Sequence, residues 1–296
     1  MLHEKSAMAD GYIFLIQILN GVQYGLLLFL VASGLTLIFG IMGIINLAHG
    51  SFYMMGAYLA FSLTELVGNL WLAILLGIPL SVVIGLALEL LLFRRLYRRD
   101  HLYQVLLTYG LILIMEELRS LLVGDDVHGI AIPALFDFSI RLTDTLSYPA
   151  YRLLMSAICL GVAALMALVI QRTRLGMTIR AGANNREMVE LLGIDIGLVY
   201  RVVFAAGVAL AAFAGMIAAP VASVYPGMGN QILIVSFVVV VIGGIGSIKG
   251  AFLGSLLIGL ADTFGQVLAP QIAGMTVYML MAAVLLWRPA GLFGRA

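Results

Sequence analysis

Long apolar runs separated by short polar connections set the pattern of this chain. Each run is about 17 to 25 residues, enough to cross a hydrocarbon core of about 30 Å as an α-helix. Nine candidate spans follow: Tyr12 to Ile41, Ile44 to Leu66, Trp71 to Phe93, Leu102 to Val123, Tyr151 to Ile170, Tyr200 to Val221, Ile232 to Ile248, Ala251 to Leu268 and Met275 to Trp287. Eight spans plus a re-entrant segment is the alternative count. The first run would be about 45 Å long as one helix, so it must tilt or break, and Ser33-Gly34 is the expected break. No period-two alternation is sustained, which excludes a barrel. The expected fold is therefore an all-α, polytopic transmembrane bundle of 8–9 spans with a short cytoplasmic helix, forming one membrane domain over residues 1–296.

Composition agrees. Of 296 residues, 63% are hydrophobic and 10% charged, against roughly 25% charged in soluble domains. The net charge of +1 gives no support to nucleic-acid binding, and the lone Cys159 excludes an internal disulfide framework. The N-terminus does not read as a secretory signal, because His3, Glu4, Lys5 and Asp10 mix charges ahead of an apolar run that is too long.

Charge also orients the bundle. Arg94, Arg95, Arg98 and Arg99 cluster in one connection, Arg172, Arg174, Arg180, Arg186 and Arg201 in or beside a second, and Arg288 and Arg295 near the C-terminus. These connections and the C-terminus are expected in the cytoplasm. The segment between the fourth and fifth spans carries Asp125, Asp126, Asp137 and Asp144 against Arg141, and parity places it on the other side.

The second basic connection holds a small helix signal. Asn184 is a candidate N-cap, with Asn185 beside it, Glu187 stands where a capping-box acid reaches back, and Gly193 offers a left-handed stop. Met188, Leu191 and Leu192 at i, i+3 and i+4 would give that helix an apolar face outside the membrane. Such a face needs a partner, either the protein's own membrane surface or another subunit.

Glycines are patterned too. Gly207, Ala211, Gly215 and Ala219 are spaced by four, as are Gly246, Gly250 and Gly254, which suits close helix approach. The kink Gly243-Gly244-Ile245-Gly246-Ser247 is read either as packing or as exposed backbone lining a pathway. It is not a phosphate loop, since Lys249 is followed by Gly250. Asn46, His49 and Ser51 are polar groups at or near the membrane, satisfied structurally or in contact with cargo. They lack metal-ligand spacing and an acidic partner, so neither a metal site nor a catalytic triad is expected. Glu65, Glu89, Glu116, Glu117 and Arg119 fall near span ends, with Glu116 and Arg119 placed to pair. Asp262 lies well inside the eighth run, where a structural partner competes with a proton-relay role.

Taken together, Gly34-Leu-Thr-Leu-Ile-Phe-Gly40, Ile44-Ile-Asn-Leu-Ala-His-Gly50, Met54-Met-Gly-Ala-Tyr58, the stretch from Arg172 to Gly193, Val241-Ile-Gly-Gly-Ile-Gly-Ser247 and Arg288-Pro-Ala-Gly-Leu292 resemble the LivH-type permease subunits of branched-chain amino-acid ABC importers, over nearly the whole chain. The resemblance implies a multi-pass protein of the bacterial inner membrane. It implies pairing with a second, LivM-like permease, two cytoplasmic ATPase subunits and a periplasmic solute-binding protein, within membrane lipid. It also places Asn184 to Gly193 in the loop that docks on an ATPase. The chain carries no nucleotide-binding motif, so no cofactor is expected on it; ATP would be used by the partner subunits, and this subunit would not be an enzyme. A secondary transporter, a channel, a small integral membrane enzyme, or an ABC permease for urea or amides are the competing readings. The echo of His49-Gly-Ser-Phe52 in Lys249-Gly-Ala-Phe252 is too short to establish the inverted repeat of a secondary transporter.

Overall fold

The computed structural model describes residues 2–97, 99–141 and 147–294, with side chains from Phe14 onward. Arg98, Asp144 and Arg295, and the side chains of His3, Glu4, Lys5 and Asp10, lie outside the described residues. The helices are α1 (Leu2–Met42), α2 (His49–Val67), α3 (Leu70–Leu91), α4 (His101–Val123), α5 (Ala150–Arg172), α6 (Arg174–Asn184), α7 (Arg186–Leu191), α8 (Ile196–Ala222), α9 (Met228–Gly243), α10 (Ile248–Leu268) and α11 (Ala273–Trp287). A short antiparallel ribbon, β1 (Ser139–Arg141) with β2 (Ser147–Pro149), sits between α4 and α5.

Each of the nine apolar runs holds a helix, but the second run starts its helix only at His49, not Ile44, and the seventh ends its helix at Gly243, short of Ile248. Among the described residues, five are long and apolar enough to cross a membrane: Phe14–Met42 within α1, Leu70–Arg95, α5, α8 and α10. The apolar helices α9 and α11 are shorter. α2 and α4 have spanning length but more polar faces, with Glu116, Glu117 and Arg119 all on α4. Many starts are fixed by side-chain caps that satisfy otherwise orphaned N–H groups. Asn69 accepts from Trp71 and Leu72 at α3, Asp195 from Leu198 at α8, and Ser247 from Gly250 at α10.

α1 does not break at Ser33-Gly34. It runs unbroken to Met42, and the two residues serve other ends. The Ser33 hydroxyl donates to the Leu30 carbonyl at 2.9 Å. A Cβ on Gly34 would lie 2.8 Å from the Gly207 carbonyl oxygen and 3.0 Å from His49 Cε1, so the glycine is a close-approach point, not a hinge. α1 is the central post of the bundle: most of its apolar length is buried, whereas α3, α5 and α10 leave most of theirs exposed on the outside.

Similar contacts recur through the interior. Gly56 faces the Ala212 backbone, Gly215 faces Tyr53, Gly243 and Gly250 face each other, and Gly40 meets Gly246. Gly207, Ala211, Gly215 and Ala219 are all buried along α8, so the expected packing face is present. In hydrocarbon, where burying apolar surface yields little, such backbone proximity supplies dispersion contacts that hold helices together.

The polar connections segregate to two ends. At one end, Gly182 of α6 approaches Ile41 of α1 and Ile196 of α8, Tyr97 packs edge-on against Tyr200 at 4.9 Å, and Leu292 reaches the end of α9. This end gathers the basic connections. At the other, Tyr148 and Arg152 bond Asn20, and His128 forms a β-bridge with Val224. Arg119 pairs there with Asp125 at 2.8 Å and donates to the Gly124 carbonyl. The expected Glu116–Arg119 pair does not form. The guanidinium is drawn toward the helix C-terminus, where an unmatched carbonyl and a loop carboxylate both accept, while Glu116 accepts from Asn230 at 3.2 Å.

Candidate coupling surface and the returning segment before α2

The basic connection after α5 is a pair of helices and not a loop holding one. α6, absent from the sequence reading, is capped by Thr173, whose hydroxyl accepts from Gly176 N–H at 3.1 Å. It buries Gly176, Ile179 and Gly182. Gly176 presses on the Ile170 and Val169 carbonyls, which turns the chain sharply from α5 into α6. Arg180 donates to the Ile170 carbonyl, so its charge completes the C-terminus of α5, where the macrodipole favours a cation.

α7 begins one residue later than expected. Asn184 is the last residue of α6, and Asn185 is the cap, accepting from Met188 N–H at 3.0 Å. Both residue types suit a cap; the preceding helix uses up the first. Glu187 sits in the first turn, where its charge complements the helix dipole. The stop at Gly193 is as read: φ is 79°, Gly193 N–H bonds Glu190 O at 3.0 Å and Ile194 N–H bonds Val189 O at 3.4 Å, a Schellman closure. Val189, not singled out from sequence, turns inward at 3% exposure. Met188, Leu191 and Leu192 are exposed at 56%, 84% and 72%. The apolar face therefore does not fold back on the chain itself. Arg186 lies over the Tyr200 ring at 5.6 Å and 3.6 Å from Glu190, fastening α7 to α8.

A second construction lies between α1 and α2. The chain leaves α1 at Met42 and turns back beside it. α2 begins at His49, whose Nε2 bonds the Val31 carbonyl at 2.9 Å. Val31 precedes Met42 by eleven residues, about 16 Å of helix rise. Ile44, Asn46 and Ala48 are fully buried in this returning segment. Irregular backbone survives at such depth only where protein or a wet cavity surrounds it. Asn46 Oδ1 accepts from Ala48 N–H at 3.1 Å, and Ser51 is buried at 4% exposure. Among the described residues, Asn46 Nδ2 and His49 Nδ1 are buried without a protein hydrogen-bond partner. The structural reading of these groups thus accounts for part of their capacity and leaves two polar atoms over.

Gly243 to Ser247 is a tight corner. Gly244 and Gly246 have φ of 96° and 77°, which suits glycine. The C-terminal segment closes over it: Leu292 N–H bonds Ile242 O at 2.8 Å and Phe293 N–H bonds Gly243 O at 3.1 Å. The motif Arg288 to Leu292 therefore meets Val241 to Ser247 in space. Asp262 finds the structural partner expected as one alternative, accepting from Gln266 at 2.8 Å. Glu89 is buried and accepts from the Tyr97 hydroxyl, a contact sequence spacing does not reveal.

Comparison with known proteins agrees with this architecture. Residues 17–286 match the family described as the permease component of branched-chain amino acid transport systems. The chain is 33% identical to the high-affinity branched-chain amino acid transport system permease protein BraD of Pseudomonas aeruginosa, covering 97% of this chain and 98% of that one. It is 31% identical to LivH of Escherichia coli K12, covering 95% and 96%. It is 26% identical to the probable LivH of Methanocaldococcus jannaschii, covering 94% and 92%. A helical bundle with these motifs in this order, matched along nearly its whole length, belongs to the LivH-type permeases of the branched-chain amino acid transport family.

Proposed function

We propose that this chain is the transmembrane permease subunit of an ATP-driven importer, carrying branched-chain amino acids or similar small solutes. The observation that carries the reading is the α6–α7 unit: an exposed apolar face on a helix fixed at both ends. Arg180 ties the unit to α5 and Arg186 ties it to α8, so force applied at Met188, Leu191 and Leu192 reaches two long helices together. A docked partner that moves there tilts α5 and α8 between two arrangements, the physical content of alternating access. ATP hydrolysis belongs to that partner, and two ATPase subunits serve a pair of permeases.

In this reading the chain crosses the membrane eight or nine times within a single domain, with α2 entered through the returning segment at Ile44 to Ala48. The basic end faces the cytoplasm together with the C-terminus, and the end carrying Asp125 and Asp137 meets a solute-binding protein. α4 supports the pairing with a second, LivM-like permease. It leaves Tyr103, Leu106, Tyr109, Leu113 and Glu117 exposed, and a carboxylate facing lipid is costly while one facing protein or water is not. The orphaned Asn46 and His49 atoms with Ser51, and the Gly243, Gly244, Gly246 and Ser247 corner, are assigned to the pathway and its inner gate.

Reconstitution tests the proposal. Vesicles holding this chain, its partner permease and the ATPases should accumulate leucine only with ATP and the binding protein. The chain alone should hydrolyse no ATP. Hydrolysis by the isolated chain, or uptake driven by an ion gradient without ATPases, would refute the reading.

A further inference from the structure

A cavity of about 390 Å³ opens on the outer surface of the bundle between α5, α6 and α8, with α1 and α3 behind it. All of its lining residues are apolar, among them Ile78, Met166, Ile170, Ile179, Val202 and Phe213. Ala206 and Ala209 on α8 are the smallest side chains of its lining. From Val202 to Phe213 the groove runs eleven residues along α8, about 16 Å. That matches one leaflet, roughly half of a ~30 Å core.

At its inner end, arginines adjoin the lining residues along the chain. Arg172 follows Ile170 by two residues, Arg174 precedes Leu175, Arg180 follows Ile179 and Arg201 precedes Val202. Arg180 bonds the carbonyl of Ile170, itself a lining residue. Arg201 is partly neutralised by Asp195 at 3.5 Å. Arg172, Arg174 and Arg180 have no acidic partner within ion-pair distance among the described residues.

We propose that this groove is a binding site for one anionic phospholipid, with an acyl chain along α8 and the headgroup phosphate on Arg172 and Arg174. Apolar length and terminal positive charge are the two halves of a phospholipid's own chemistry. The terminal cations favour an anionic lipid over a helix of a second permease as occupant, because an apolar transmembrane face offers them no counter-charge. The site depends only on the helices being embedded in a bilayer, so its test is separate from that of the importer reading.

The test is native mass spectrometry of the full chain in detergent, titrated with phosphatidylglycerol or phosphatidylethanolamine. Wild type should retain one phosphatidylglycerol in preference. Replacing Arg172→Gln and Arg174→Gln together should weaken that retention by roughly tenfold or more and weaken phosphatidylethanolamine less, because its own ammonium already offsets its phosphate. Ala206→Phe, or the milder Ala209→Leu if the first folds poorly, should abolish retention of both. Equal retention of the two lipids by wild type, or unchanged retention in a monodisperse filled-groove variant, would overturn the proposal. So would efficient disulfide capture of the second permease by Ala206→Cys in the assembled complex.

Discussion

Leu191→Asp separates assembly from folding more cleanly than any other change on the basic end. Leu191 is 84% exposed, so its side chain contributes almost nothing to the isolated bundle. If α7 enters an ATPase groove, losing the apolar contact forfeits about 1.5–2.5 kcal/mol, and a buried, unpaired carboxylate adds at least about 2 kcal/mol. The sum, roughly 3.5–4.5 kcal/mol, weakens assembly by about three orders of magnitude. Val189→Asp is the contrasting control, because Val189 is 3% exposed and faces the chain's own interior; it should lower membrane expression, which Leu191→Asp should not. Tagged permease is extracted, and ATPase recovery is measured against permease recovered. Equal ATPase recovery with wild type and Leu191→Asp would show that energy enters elsewhere.

Four other expectations follow from separate parts of the molecule. With the buried Cys159 replaced by Ser, a cysteine at exposed Asp137 should react with an impermeant thiol reagent in intact cells and one at Arg99 should not, and the opposite pattern reverses the orientation. Gly56→Val drives a side chain into the Ala212 backbone, which cannot yield, and should lower stability in detergent unfolding by about 1–3 kcal/mol or more. Gly161→Ala, with open space around it, should hold or raise stability by about 0.5–1 kcal/mol. The hydrogen bond from Arg119, with a smaller one from Ser120, holds the Asp125 carboxyl below its usual range. Its contribution is thus complete above the unfolded carboxylate value of about 3.9 and fades as pH falls through the lower folded value. The protection of amides 124–128, taken relative to their intrinsic exchange rate at each pH, should stay constant from neutrality to about pH 4 and fall below it; a fall already near pH 6 would assign the order of this loop to another group.

Much of the bundle is legible in the apolar runs because bilayer thickness fixes helix length, and side chains along a span need only be greasy. What stays hidden is where one residue type has two uses. Gly34 reads as a hinge until Gly207, far along the chain, is seen against it. α6 escapes notice because its buried face is built partly from Gly176 and Gly182, which carry no hydrophobic signal, among arginines that read as loop. Asn184 and Asn185 are equivalent caps until the end of α6 chooses between them. Arg119 has a carboxylate one turn away and a better pair of acceptors at the helix end. The apolar face of α7, by contrast, was readable because i, i+3, i+4 spacing survives even in a helix of six residues.

The return of the chain beside α1 constrains how the protein can be made. A helix released singly into lipid must satisfy its own polar groups, and the start of α2 cannot: His49 bonds the Val31 carbonyl of α1. Stranded in hydrocarbon, each unmatched polar group costs several kcal/mol. α2 should therefore leave the insertion machinery with α1 as a preformed hairpin, and a chain presenting α2 without α1 should insert poorly in a glycosylation-mapping assay, whereas His49→Leu should partly restore it. The same bond from His49 to Val31 that ends as a detail of the finished bundle thus begins as a rule of its assembly, tying the second helix to the first before either meets the membrane alone.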